Sequence, residues 1–158
     1  MPEIVKKPAV KRTPVAHASK EHKASVPKAG GKYVEAVGRR KTSIARVRVM
    51  KGSGKVIVND KDAKQYFPLA RLVADAIAPL TSLKIAGEWD VSAKVSGGGI
   101  HAQAGAVRLG VARALVKQDA ELKKRLRVFG FMTRDSRAVE RKKYGKKKAR
   151  RSPQWAKR

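Results

Sequence analysis

Cysteine is absent from this 158-residue chain. Without it there is no disulfide framework, no thiolate zinc site and no cysteine nucleophile, a pattern that fits a reducing compartment. Histidine is nearly as scarce, with three in all. His17 and His22 lie in the head of the chain. His101 has no carboxylate close to it in sequence and reads as a helix cap or phosphate contact rather than a general base. Metal-ligand spacing is missing as well, so no catalytic residue, metal or cofactor is expected. No apolar stretch approaches the roughly 18 residues a membrane-spanning helix needs. The N-terminus lacks the apolar run of a secretory signal and is poorer in Arg and Ser than a transit peptide, so a cytoplasmic location is expected. Acid is in shortest supply: 12 Asp and Glu face 39 Lys and Arg, a formal net charge of +27. A compact state so charged repels itself, and the composition calls for a polyanion as partner, nucleic acid ahead of an anionic membrane surface.

What is present is unevenly placed. Residues 1–32 carry eight basic and two acidic residues, residues 33–122 fifteen and eight, and residues 123–158 sixteen and two. The last eighteen residues hold ten cations and no acid, interleaved with Tyr144 and Trp155. The middle has the composition of an ordinary domain; the ends lack the apolar groups that would offset backbone entropy. Three segments are therefore expected: a disordered basic extension over 1–32, a globular domain over 33–128 and an extended basic tail over 129–158. A short mixed charge run reads as a solubilising surface. A run this dense, with aromatics among the cations, reads as an arm that orders on RNA.

Within the middle, residues 33–37 alternate as a strand, Gly38-Arg39-Arg40-Lys41 reads as a tight basic loop, and residues 43–50 alternate again. There Ala45, Val47 and Val49 take one face, and Arg46 and Arg48 the other. Lys51 to Gly54 reads as a turn, with residues 55–58 pairing back as a hairpin strand. Asn59 and Asp60 break that strand, and Asp60 and Asp62 read as caps or turn formers. Leu69, Leu72, Val73, Ala76, Ile77 and Leu80 space a helix over 68–80, with Pro68 in its first turn. Trp89, Val91, Ala93 and Val95 mark a half-buried strand. A helix over 100–117 follows, with Ile100, Ala104, Val107, Val111 and Leu115 as its core stripe, and a short basic helix over 119–127. This order predicts an α+β architecture, a small and mostly antiparallel sheet with packed helices.

The strongest local feature is Gly97-Gly98-Gly99 between strand and helix. Three glycines let a ligand approach the backbone, and the helix N-terminus behind them favours a phosphate. That helix presents Gln103, Ala106, Gly110 and Arg113 along one side, where the small residues suit close approach of either RNA or the sheet. Nucleotide-loop motifs fit poorly. Gly52-Ser53-Gly54-Lys55 has Val49 where a phosphate loop needs glycine and Val56 where it needs Ser or Thr.

Several of these stretches resemble the small-subunit ribosomal protein S9 family in its bacterial or organellar form. They are Gly97-Gly98-Gly99-Ile100-His101-Ala102-Gln103-Ala104-Gly105-Ala106, running on to Gly110-Val111-Ala112-Arg113-Ala114-Leu115; Gly38-Arg39-Arg40-Lys41-Thr42-Ser43; and Thr133-Arg134-Asp135 through Glu140-Arg141-Lys142-Lys143-Tyr144-Gly145 to Arg150-Arg151. The ending Gln154-Trp155-Ala156-Lys157-Arg158 is similar to the family's, with Trp and Ala where Phe and Ser are commoner. The resemblance covers about residues 33–158. It implies a ribosomal S5 domain 2-like fold with a left-handed βαβ crossover, against the usual handedness. It also implies a non-enzymatic ribosomal protein in the head of the small subunit, with rRNA, peptidyl-site tRNA and neighbouring head proteins as partners. The family's tail threads through rRNA toward the peptidyl site, which makes Lys157 and Arg158 the expected tRNA contacts. Thirty extended residues span at most roughly 100 Å, enough for that reach.

The expected rRNA-binding set joins both readings. In the domain it comprises Arg39, Arg40, Lys41, Arg46, Arg48, Gly97, Gly98, Gly99, Gln103 and Arg113. In the tail it comprises Arg134, Arg137, Arg141, Lys142, Lys143, Tyr144, Lys146, Lys147, Lys148, Arg150 and Arg151. Two rivals stand beside it: a histone-like nucleic-acid condenser, and a small-molecule kinase holding ATP phosphate in a glycine-rich loop.

Overall fold

Alternating segments between residues 34 and 96 build one sheet, and the two segments with helical spacing cover one of its faces. The computed structural model describes residues 33–157; the extension expected over 1–32 and the terminal Arg158 lie outside the described residues. In chain order come β1 (Val34–Arg40), β2 (Ser43–Lys51), β3 (Val56–Val58), β4 (Lys61–Asp62), α1 (Ala63–Tyr66), α2 (Ala70–Ser82), β5 (Trp89–Ser96), α3 (Ile100–Gln118) and α4 (Leu122–Val128). The sheet runs β1-β2-β5-β3-β4. Every neighbouring pair is antiparallel except β3 and β5, which lie parallel across the connection through α1 and α2. This is an α+β arrangement consistent with the ribosomal S5 domain 2-like fold.

Four local expectations change. Residues 38–40 are strand rather than loop, because the β1–β2 ladder runs to the pair Arg40↔Ser43, leaving Lys41 and Thr42 as the turn. Lys41 sits at φ 50°, in the left-handed region. Residues 56–58 do not pair back on β2: β5 takes that place, with a register from Ile44↔Ser96 to Lys51↔Trp89. Pro68 lies before the N-cap Leu69 rather than inside the first turn. Ile100 is 43% exposed and outside the core stripe, since it is the first residue of α3 and lies beyond the sheet's cover.

The core lies between sheet and helices. Ala36, Ala45, Val47, Val49, Val91, Ala93 and Val95 face inward from the strands, and Leu72, Ala76 and Leu80 of α2 meet Val107, Val111 and Leu115 of α3. A fully buried Leu contributes about 1.5–3 kcal/mol. α3 is buried on nearly all sides, packed on β1 and β2 and flanked by α2. Close approach makes this possible. A Cβ placed on Gly38 would sit 1.9 Å from the Ala106 carbonyl oxygen, and one on Gly110 would sit 2.5 Å from a Val47 methyl. The small residues of α3 therefore serve sheet packing, one of the two uses their spacing allowed.

β1 is an edge strand, and edges invite unwanted pairing. Its outward carbonyls are taken by two cations one helical turn apart on α3. Arg113 Nη1 donates to the Val37 oxygen and Lys117 Nζ to the Glu35 oxygen, each at 2.9 Å. At the far side Asn59 (φ 48°) turns the chain away from β5, yet its side chain prolongs the ladder. Asn59 Oδ1 accepts from the Val95 amide at 2.8 Å and Nδ2 donates to the Val95 carbonyl at 2.9 Å.

Candidate nucleic-acid interface

The outer face of the sheet follows directly from strand alternation. Register sets Arg39, Ile44 and Ser96 in one row, Val37, Arg46 and Lys94 in the next, and Glu35, Arg48 and Ser92 in a third. Glu35 is the acid of those three rows. It accepts from Arg48 Nε at 2.9 Å and lies 4.0 Å from Arg46, while Arg48 also covers the Tyr33 ring at 4.8 Å. Arg39 and Lys94 have no side-chain partner among the described residues. The face is thus cationic, with Val37 and Ile44 exposed between the charges.

The glycine turn is built as its composition predicts. Gly97 and Gly98 take φ values of 69° and 65°, and Gly99 caps α3 without any side-chain bond. The first backbone bonds run from Ala102 and Gln103 to the Gly99 oxygen, so the Ile100 and His101 amides have no partner among the described residues. Such amides suit an anion. Gln103 stands behind the turn as an internal brace: Nε2 donates to the Gly97 oxygen at 3.2 Å, and Oε1 accepts from the Tyr66 hydroxyl at 2.8 Å.

The root of the tail is firmly held. α4 ends in a Schellman turn, with Gly130 (φ 71°) donating to the Arg127 oxygen and Phe131 to the Leu126 oxygen. Phe131 and Met132 then pack against the core. Three residues on, Asp135 binds Arg40 Nη2 at 3.0 Å, the Arg137 amide at 3.0 Å, and the Arg137 guanidinium at 3.0 and 2.9 Å. The hydrogen bonds from Arg137, side chain first and backbone second, hold the Asp135 carboxyl far below the usual carboxylate range. Beyond it, Glu140 accepts from Arg150 Nε at 3.1 Å and from its Nη2, which lowers the Glu140 carboxyl too. With Lys147 donating to the Arg151 oxygen at 2.8 Å, residues 140–151 close into a loop. Both acids of the last 36 residues are thus organisers of the tail.

The structure sorts most of the expected residues into two groups, with Arg46 between them, exposed but 4.0 Å from Glu35. Arg40, Arg48, Gln103, Arg113, Arg137 and Arg150 have internal partners, and Arg141 donates to the Lys142 oxygen. Arg39, Lys41, Arg134, Lys142, Lys143, Lys146, Lys147, Lys148 and Arg151 are exposed, with side chains unpartnered among the described residues. Tyr144 is 98% exposed and Trp155 is open as well. Sequence reasoning missed the organising roles of Asp135 and Glu140, although an isolated acid inside a cationic run was a readable signal.

The Gly52–Lys55 turn is closed to a phosphate. The amides of Ser53 and Lys55, the ones a phosphate loop would offer, are taken by Asp90 Oδ1 at 2.9 and 2.8 Å. A cleft of about 450 Å³ between β3, α1 and α2 is lined largely by Val56, Ile57, Ala63, Val73 and Ile77, and its Asp62 caps α1. Among the described residues no cluster of three or more potential metal ligands forms, and no helix is long and apolar enough to cross a membrane.

A braced α+β domain that displays unpartnered cations on one sheet face, a glycine turn and a clamped basic tail has the construction of a ribonucleoprotein component. The family model for ribosomal protein S9/S16 matches residues 38–158, and the chain belongs to that family. It is accordingly a small-subunit ribosomal protein acting in translation, with rRNA and other ribosomal proteins as its class of partner. Ribosomal proteins are in general not enzymes.

Proposed function

We propose that this protein docks on rRNA of the small-subunit head through its unpartnered cations and delivers its C-terminal tail to the peptidyl-site tRNA. The observation that carries the reading is the division of labour among the cations. Those near Asp135 and Glu140 hold the tail's shape, while Lys142, Lys143, Lys146, Lys147, Lys148 and Arg151 point to solvent. Preformed cationic loops bind phosphate backbones with little ordering entropy. Arg39, Lys41, Arg46 and the Gly97–Gly99 amides form the docking surface on the domain, where backbone and shape dominate over base reading. Arg40, Arg48, Gln103, Arg113, Arg137, Arg141 and Arg150 act on RNA mainly by positioning this surface, and Tyr144 is free to stack on a base.

Lys157 and Arg158 make charge-assisted hydrogen bonds to tRNA phosphate in this reading. The chemistry is positional, with no bond made or broken. The test is tRNA retention by subunits reconstituted with wild-type chain or with Arg158→Ala. The variant should assemble normally, as followed by co-sedimentation in sucrose gradients, and release peptidyl-site tRNA faster. Equal retention would remove the tail-tip role.

A further inference from the structure

At the end of α4 two phenylalanines stack outside the hydrophobic core. Phe129 and Phe131 have ring centroids 5.8 Å apart and planes inclined by 21°. Phe131 is half buried against the core and covered by the Arg108 guanidinium at 5.7 Å from its centroid. Phe129, the outer ring, is 52% exposed, and Val128 beside it is open too. Both rings belong to the Schellman turn, Phe129 as C-cap and Phe131 two residues later, so backbone hydrogen bonds fix their spacing. The charge around them is mainly positive: residues 121–135 contain Lys123, Lys124, Arg125, Arg127 and Arg134 against Glu121 and Asp135, and Asp135 is already taken by Arg40 and Arg137.

We propose that Phe129 is a stacking platform for one unpaired RNA base, with Arg125, Arg127 or Arg134 meeting the flanking phosphates. An aromatic face stacks on any base without regard to sequence, and here it is rigid before binding, so little entropy is lost on association. The surrounding cations repel an arginine- or lysine-rich protein and attract a nucleotide's phosphate, which is why RNA is the occupant rather than another basic ribosomal protein. The proposal rests on the RNA-binding reading above and adds a site to it, one that recognises single strands rather than helices.

The experiment compares the full chain with Phe129→Ala and Phe129→Trp on a single-stranded uridine-rich 12-mer and on a duplex RNA of equal length. Truncating one stacking ring should weaken single-strand binding roughly 5- to 100-fold. Duplex binding should stay within about twofold, and the dependence of log affinity on log salt should keep its slope, since no cation is removed. Phe129→Trp should bind the single strand at least as well as wild type. Because the ring is about half exposed and lies outside the core, thermal melts should show all three chains folded. Unchanged single-strand affinity in Phe129→Ala, or an equal loss on duplex, would overturn the platform and leave the patch to a protein neighbour. Failure of the wild-type chain to bind either RNA would instead overturn the underlying RNA-binding reading.

Discussion

Asp135 joins the end of β1 to the start of the tail, and its charge does the joining. Its carboxyl is held far below the ordinary value of about 3.9, chiefly by Arg137 and also by Arg40. A depressed folded-state value means the clamp contributes fully above the unfolded value and is lost as pH falls below it. Amide protection at residues 131–137, corrected for intrinsic exchange, should be flat from pH 8 to 5 and fall only in stronger acid. Asp135→Asn should lose that protection at every pH while the domain's melting temperature barely moves; retained protection would show that the tail root is held by Phe131 and Met132 alone. Gly38 tests a different constraint. A methyl group there meets the backbone of Ala106 and Gly110 at 1.9 and 2.5 Å, and backbone cannot rotate aside. Gly38→Ala should destabilise the domain by about 3 kcal/mol in urea unfolding, the upper end for an overpacked core. A loss under about 1 kcal/mol would mean that α3 can slide on the sheet.

Elements were legible where one periodicity dominated. β2 and β5 alternate cleanly, and the inward sets Ala45, Val47, Val49 and Val91, Ala93, Val95 are the buried ones. α2 and α3 were visible in spacing too, although α3 proves buried well beyond one stripe because it is wedged between sheet and α2. What stayed hidden was set by partners distant in sequence. Nothing local reveals that β5 inserts between β2 and β3, or that Asn59 finishes a ladder with its side chain. The two-residue β4 and four-residue α1 are too short to show a period. The candidate site was legible as a set of cations, while their internal pairing was not, since Arg40 meets Asp135 across 95 residues. Arg113 and Lys117 make the same point at the β1 edge. Replacing both by Ala should cost about 1 kcal/mol, because exposed hydrogen bonds are screened. It should also raise concentration-dependent self-association in analytical ultracentrifugation by uncovering the edge. A monomeric double variant of unchanged stability would assign these cations to the RNA side instead.

At the scale of the whole molecule, 39 cations against 12 acids make an object that is completed by polyphosphate. The domain supplies rigidity, the Schellman turn and the Asp135 clamp set the tail's departure, and the Glu140–Arg150 pair closes a loop that presents lysines outward. If those lysines meet phosphates, each releases counterions, and log affinity falls with log salt by about 0.7 to 0.9 per contact. The decisive measurement is therefore the salt dependence of small-subunit rRNA binding by the full chain and by its Lys146→Gln, Lys147→Gln, Lys148→Gln triple variant. The slope should be steep for the wild type and shallower by about 2 for the variant, with the domain's melting temperature unchanged. A wild-type affinity indifferent to salt, or a triple variant with the wild-type slope, would contradict the account.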